Sequence, residues 1–494
     1  MKPIQSKHIF PIEDSILLIL MFFSPMAFGS VHAWAYSLLC LFSTMIFMIH
    51  FLRNPANLLQ LIKRKEVVFA IVFIIFQIVY VIPITPAILK MISPNAYLIR
   101  NDYMTEPAKY MFLSVFPYIT ITYIMRIIAY FFVFLYVLSR MNIHDCPQTP
   151  DVRINRLNSY VFAGAVSACM AMAFHSLTDF NLHIPANALY FVVMLSLVAG
   201  LSFDKKNHVN AAYVSRMVNF IVSIGSAIAL FAIIQKFSWN GKMFWIFKKV
   251  GGNFGPYVNY DHFAGFMEMC TCIAVARLTG LIRVSGIFYI RNIKDKLVWF
   301  STKEANAVLT SFIMTVVMIT SLFMSTSRGG ILSFLAAMGI FFGGVICSAR
   351  RGRRMRIIGT LLVIMFVAGI MFIWAGPEEA VSRYQSLQKV ITFIIKEKPI
   401  MNELRPKFWK DTVQIIKDYP VAGTGLGTFY RIFPAYRTFP GKHGFLRYAH
   451  NDYLQYFSEN GSVGALFLGI FFFWYIGRIR RCLRDLSEEK QFKR

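Results

Sequence analysis

The chain has 494 residues, 57% of them hydrophobic, and a formal net charge of +27. That apolarity excludes a string of soluble domains and fits repeated runs of about 20 apolar residues, the length of a bilayer-crossing helix. The charge would suggest nucleic acid in a soluble chain; here it falls largely in short connections, where it orients the spans, with an excess left for anionic lipid or an anionic substrate.

Seven cysteines lie mostly in apolar runs or basic loops, so no disulfide framework is expected. Cys270 and Cys272 point apart on one helix and read as packing residues. Glu13 and Asp14 precede the first apolar run and a second run follows almost at once, which favours an uncleaved first helix over a signal peptide.

Hydropathy predicts an all-α polytopic membrane protein of about twelve spans, at 15–29, 31–52, 67–89, 116–139, 159–178, 186–203, 217–237, 260–281, 306–325, 329–347, 357–375 and 461–477. Residues 1–375 thus hold eleven spans, 376–460 form one large, partly helical loop, and 461–494 hold the last span and a basic tail. Every even-numbered connection is basic, including Arg350, Arg351, Arg353, Arg354 and Arg356 after span ten. Those connections and both termini are therefore read as cytoplasmic. The connections 90–115, 179–185, 238–259, 325–330 and 376–460 are read as external.

Within the long loop, apolar residues at three- and four-residue spacing predict helices over 380–396 and 405–418. Gly423, Gly425 and Gly427 predict a break or tight turn, and 431–449 reads as irregular, a possible lid.

The chemistry-bearing residues gather on the external side. Arg328, in the tight turn before span ten, and Arg405, opening the second loop helix, suit phosphate, although an interfacial or solvated arginine is the plainer reading of each. His450 is able to act as a general base and is flanked by Arg447, Asn451, Asp452, Gln455 and Glu459. Asn259 and Asp261 read as caps of span eight, just after external Lys242, Lys248 and Lys249. Two charges lie inside spans, Arg126 and Glu268; they are expected to pair, the alternative being that Arg126 lines a ligand cavity alone. The polar turn from His175 to Asn187, with Asp179, either shapes the site or caps two helices. No Walker loop, HExxH or Asp-x-Asp is present, which argues against a nucleotide-driven step, a metal or a cofactor.

Taken together and in order, Asn253-Phe-Gly255…Asn259…Phe263-Ala264, Ser327-Arg328-Gly329, Arg405…Trp409 with Pro420-x-x-Gly423-x-Gly425-x-Gly427, and His450-Asn451-Asp452-Tyr-Leu-Gln455 with Glu459-x-Gly461 resemble the O-antigen ligase/polymerase family of membrane glycosyltransferases. The resemblance covers about 217–477. It implies a metal-independent transfer at the periplasmic face of the bacterial inner membrane. The donor would be a glycan on undecaprenyl pyrophosphate and the acceptor a hydroxyl of lipid A–core or of another glycan, with membrane lipids as the other partners. It casts His450 as base, and Arg328 and Arg405 as diphosphate ligands. Arg126, Asn259, Arg447, Asn451, Asp452, Gln455, Glu459 and Asp179 would contact substrate. Polymerase and protein-glycosylating relatives share the donor, and a lipid-linked glycan transporter is the competing class. In one respect the chain departs from that family. A segment like His175…Asn187 there follows the His-Asn-Asp motif, whereas here it precedes span seven. Asp179 would still reach the same site if spans five and six pack beside span twelve.

Overall fold

The structure, a computed structural model, describes residues 11–102, 108–142, 152–201, 209–248, 252–287, 292–348, 405–439 and 446–488, with a few isolated positions besides. The helices are α1 Ile12–Met26, α2 Ala33–Arg53, α3 Pro55–Ile62, α4 Lys65–Val79, α5 Pro86–Ile92, α6 Pro94–Asp102, α7 Pro117–Met141, α8 Val152–His175, α9 Pro185–Leu201 and α10 Ala211–Phe237. They continue with α11 Tyr260–Val284, α12 Ile293–Trp299, α13 Lys303–Met324, α14 Arg328–Ser348, α15 Arg405–Asp418, α16 Phe429–Tyr436 and α17 Asp452–Glu488. Sheet is confined to two two-residue antiparallel pairs, Pro83–Ile84 with Met111–Phe112 and Lys242–Met243 with Phe247–Lys248.

Among the described residues eight helices are long and apolar enough to cross a membrane: α2, α7, α8, α10, α11, α13, α14 and α17. The other predicted spans that fall on described residues are helical but shorter, as α1, α4 and α9. Span 357–375 lies almost wholly, and the helix expected at 380–396 wholly, outside the described residues. The expectation of irregular chain from 431 is corrected: α16 runs to Tyr436, with Pro434 inside it.

α11 is the hub, packed among α8, α9, α10, α13 and α14. Small residues set that packing. A Cβ on Gly164 of α8 would stand 2.4 Å from the Cβ of Ala276, so these helices touch backbone to backbone. Side chains such as Leu41, Ile75, Met125, Ile313 and Phe473 face outward, as lipid contact requires. At the end of the bundle where α1 begins, Glu13 pairs with Arg53 and Asp14 with Arg140, each at 2.9 Å, so the acids that open the first helix are neutralised by its neighbours' ends.

A second apolar cluster caps the opposite end. Tyr80, Leu89, Ala96, Met111 and Leu113 of the first long connection pack with Phe408, Ile415, Tyr419, Phe429 and Phe433 of the late loop. The two segments are also bonded, Val115 N to Thr424 O at 2.9 Å and Asn95 Nδ2 to Asp418 O at 2.8 Å.

Beneath this cap α17 is broken. Gly461 has φ 59° and ψ −156°, outside the helical region, so a short helix precedes it and the long span follows. The glycine loop fills the break. Thr424 N donates to Ser458 O and Gly425 N to Glu459 O, while Ser462 N donates to Pro420 O, at 3.0, 2.8 and 2.8 Å. The break's freed carbonyls are thereby satisfied without water.

Candidate functional site

Four segments converge under the cap: the α8–α9 turn, the start of α11, the α13–α14 turn and the chain leading into α17. The α8–α9 turn is fastened to α17 first. Asp452 N donates to Ser176 O at 2.9 Å, and its carboxylate accepts from Ser176 Oγ at 2.8 Å and Leu182 N at 3.2 Å. Asn451 caps α17 through Leu454 N and reaches Leu177 O with its Nδ2.

This fastening sets His450 against Asp179, with Nδ1 3.0 Å from Oδ1. The condition posed by the displaced turn is thus met. His450 adopts φ 52°, a left-handed backbone that a non-glycine residue enters only at some cost. Phe180 and Phe408 flank its ring. With Nδ1–H donating to the carboxylate, Nε2 is the nitrogen left to accept a proton. Burial alone would raise the Asp179 carboxyl; the hydrogen bond from His450 and the fields of His262, His450 and His175 outweigh it and hold the group well below the usual carboxylate range.

On the other side of Asp179 lies the start of α11. Asn259 caps it, accepting from Asp261 N at 2.9 Å. Asp261 accepts from Ser327 Oγ at 2.6 Å and lies 3.6 Å from an Arg405 Nη2. Arg405 is thus drawn to the start of α11, with 37% of its side chain exposed. Arg328 opens α14 one residue after Ser327. A Cβ on the following Gly329 would stand 2.6 Å from Thr178 Oγ1 and 3.0 Å from His175 Nε2, so the α13–α14 turn is pressed onto the α8–α9 turn.

Other expected site residues serve the protein's own framework. Glu459 accepts from Gly427 N at 2.8 Å and Phe429 N at 3.2 Å, capping α16, and from Gln455 Nε2 at 3.1 Å. Gln455 also accepts from Ala449 N and meets His183. Arg447 is exposed and ion-pairs with no carboxylate among the described residues. The expected Arg126–Glu268 pair does not form. Glu268 faces His175, Oε1 to Nδ1 at 3.3 Å, and the Arg126 guanidinium is stacked between Tyr36 and Tyr123, at 3.8 and 4.6 Å from the ring centroids. Cation–π contact in a dry setting contributes about 2 kcal/mol and takes the place of a counter-ion.

His183 and His262 were not singled out from the sequence. His183 Nδ1 lies 2.7 Å from Asp452 Oδ1. Burial would lower its pKa, but the Asp452 hydrogen bond and charge, with Glu459, raise it above the ordinary value near 6.5. A raised folded pKa contributes stability that is fully present below about pH 6.5 and lost as pH rises through the folded value. The melting temperature of the wild type in detergent should therefore fall more steeply from pH 6 to pH 9 than that of His183→Gln. Parallel curves would exclude this linkage.

No curated protein and no solved structure matches the chain. A family model described as O-Antigen ligase matches residues 313–469, which include Arg328, Arg405, the glycine loop, His450 and the break at Gly461. The match takes in the α13–α14 turn and α15 to α17, the same elements that close the site over Asp179 and Asp261. Residues 313–469 are thus similar to the O-antigen ligase family, in a multi-pass membrane protein whose described residues include eight helices long and apolar enough to cross a bilayer.

Proposed function

We propose that the protein transfers a glycan from undecaprenyl pyrophosphate to a sugar hydroxyl at the periplasmic face of the inner membrane, as an O-antigen ligase with a lipid A–core acceptor. The observation that carries this reading is one cluster: His450 on Asp179 at 3.0 Å, with Arg405 on Asp261 at 3.6 Å beside it.

The acceptor hydroxyl oxygen attacks the anomeric carbon of the donor. His450 Nε2 takes the hydroxyl proton, and Asp179 holds the ring and balances the imidazolium that forms. The bond from the anomeric carbon to the phosphate oxygen breaks, and its electron pair leaves with undecaprenyl pyrophosphate. Arg405 exchanges its loose contact with Asp261 for charge-assisted bonds to the leaving diphosphate, joined by Arg328 at the start of α14. The glycosyl phosphate bond is itself activated, so no nucleotide is needed. Asp452, Asn451, Gln455 and Glu459 position the His450 segment, and Asn259 positions Asp261.

The test is the purified full-length protein with an undecaprenyl-pyrophosphate-linked glycan and a lipid A–core acceptor, without nucleotide. Glycosylated acceptor and free undecaprenyl pyrophosphate should appear together. Arg405→Ala should lower the rate by about 10²–10³-fold, the effect of removing one preorganised donor to a developing charge. Movement of the intact donor across a bilayer with no transfer would instead make the protein a carrier. An unchanged rate in Arg405→Ala would remove the diphosphate role.

A further inference from the structure

We propose that the hairpin between α10 and α11 is an interfacial anchor that binds anionic phospholipid headgroups at the site end of the bundle. α10 starts at the opposite end, where Asn210 N donates to Met141 O next to the Arg140 that pairs with Asp14. Its last residue, Phe237, therefore reaches the end that carries the cap. From there the chain turns back on itself, with Lys242 paired to Lys248 and Met243 to Phe247.

Three features make this hairpin costly as a plain surface loop. Its turn is left-handed at two aromatic residues, Phe244 at φ 52° and Trp245 at φ 60°, where Asn-Gly would be the relaxed choice. Bulky side chains enter that region only where their surroundings hold them. Here Phe244 packs on Phe28 and Phe231, with ring centroids 5.4 and 5.2 Å away, and Trp245 Nε1 donates to Ser238 O at 3.0 Å. Second, Lys242 stands directly opposite Lys248, both exposed, and like charges facing each other across a ladder repel. Neither lysine has a carboxylate partner among the described residues. Third, Ile246 and Phe247 are 72% and 51% exposed at the tip.

An anionic lipid layer accounts for all three. Leu230, Ile234 and Phe237 are exposed at four- and three-residue spacing, one apolar stripe along α10 that runs up to the hairpin. Trp239, Ile246 and Phe247 continue that surface to the level of the headgroups, where aromatic side chains collect. A lipid phosphate between Lys242 and Lys248 replaces their mutual repulsion by attraction to one anion. The packed turn holds the lysines in place before the lipid arrives, so binding orders little else. A soluble anion would satisfy the lysines but leave Ile246 and Phe247 in water, whereas a phospholipid covers both. Lysines outside also run against the charge pattern of the other connections, which gives them a use that orientation of the spans does not. None of these residues has a part in the glycan-transfer reading, which stands or falls separately.

The experiment places the photo-crosslinker benzoylphenylalanine at Phe247 of the full-length protein, in nanodiscs of phosphatidylcholine with a minority of phosphatidylglycerol. Mass spectrometry of the irradiated protein then identifies what is joined to that peptide. The same crosslinker at Ile313, an outward side chain of α13, gives the proportions of the surrounding bilayer. Position 247 should capture phospholipid, with phosphatidylglycerol enriched about fivefold or more over position 313, the effect of one lysine beside an anionic surface. High salt should reduce the enrichment. Lys242→Gln combined with Lys248→Gln relieves a repulsion and so stays folded. It should still capture lipid at position 247, now in the proportions found at 313. Capture of a second copy of the chain, or of no lipid, at position 247 overturns the proposal. So does a phosphatidylglycerol share equal to that at 313, or one that survives loss of both lysines.

Discussion

His450→Ala lowers glycan transfer by about 10²–10⁴-fold, the range for removing a positioned general base, and lowers the melting temperature because the buried Asp179 carboxylate loses its partner. The base sits on a left-handed backbone at φ 52°, so alanine keeps the strain and removes only the imidazole. His450→Gly is the informative companion. Glycine relieves a left-handed conformation that costs other residues roughly 1–2 kcal/mol, so this variant should melt above His450→Ala and be just as inactive. Equal loss of rate at unequal stability separates chemistry from folding. Asp179→Asn should also slow transfer, because an amide cannot balance the imidazolium. Either His450 variant turning over at the wild-type rate would remove the base from the mechanism.

Gly461→Ala should be the most damaging small substitution in the last helix. At φ 59° and ψ −156° the residue occupies a region open essentially to glycine alone. A Cβ there would stand 2.3 Å from Val421 O and 2.7 Å from Gly423 N, both backbone atoms that no rotamer change can move. The expected cost is more than about 3 kcal/mol, since strain and clash add. It should appear as low yield and a lowered melting temperature. Gly423→Ala meets Glu459 C at 2.3 Å and belongs to the same class. Gly469→Ala is the contrast. It lies in the same helix with nothing within 4 Å, so alanine should be neutral or add up to about 1 kcal/mol of helix propensity. A melting temperature for Gly461→Ala equal to that of Gly469→Ala would mean that the loop does not fill the break as described.

The helices were legible because burial in lipid writes itself into a long apolar run, and α2, α7, α10 and α13 appear near their expected limits. Local punctuation was legible too: Asn259 caps α11, and Gly423, Gly425 and Gly427 turn the chain. What hydropathy lacks is azimuth. Arg126 and Glu268 sit inside spans, as read, yet one turns to Tyr36 and Tyr123 and the other to His175, and no pattern along a single helix sets those rotations. The His450 and Asp179 pairing was legible only as a condition on packing, because the two lie 271 residues apart. His183 and His262 carried no local signal. Their roles come from Asp452 and Asp179, which reach them only in the folded chain. The contact of the glycine loop with the break at Gly461 was likewise invisible, because it forms only in the folded chain.

The fastening of the α8–α9 turn to the start of α17 has a consequence for the nascent chain. Asp179 is synthesised and inserted long before the residues that hold it, so each ribosome builds most of the membrane bundle with this carboxylate still awaiting its histidine. The cluster around Asp179 is completed only when the chain leading into α17 has locked onto Ser176 and Asp179. A partly made chain therefore holds Asp179 without its His450 partner. Insertion of α17 therefore completes the His450–Asp179 pairing.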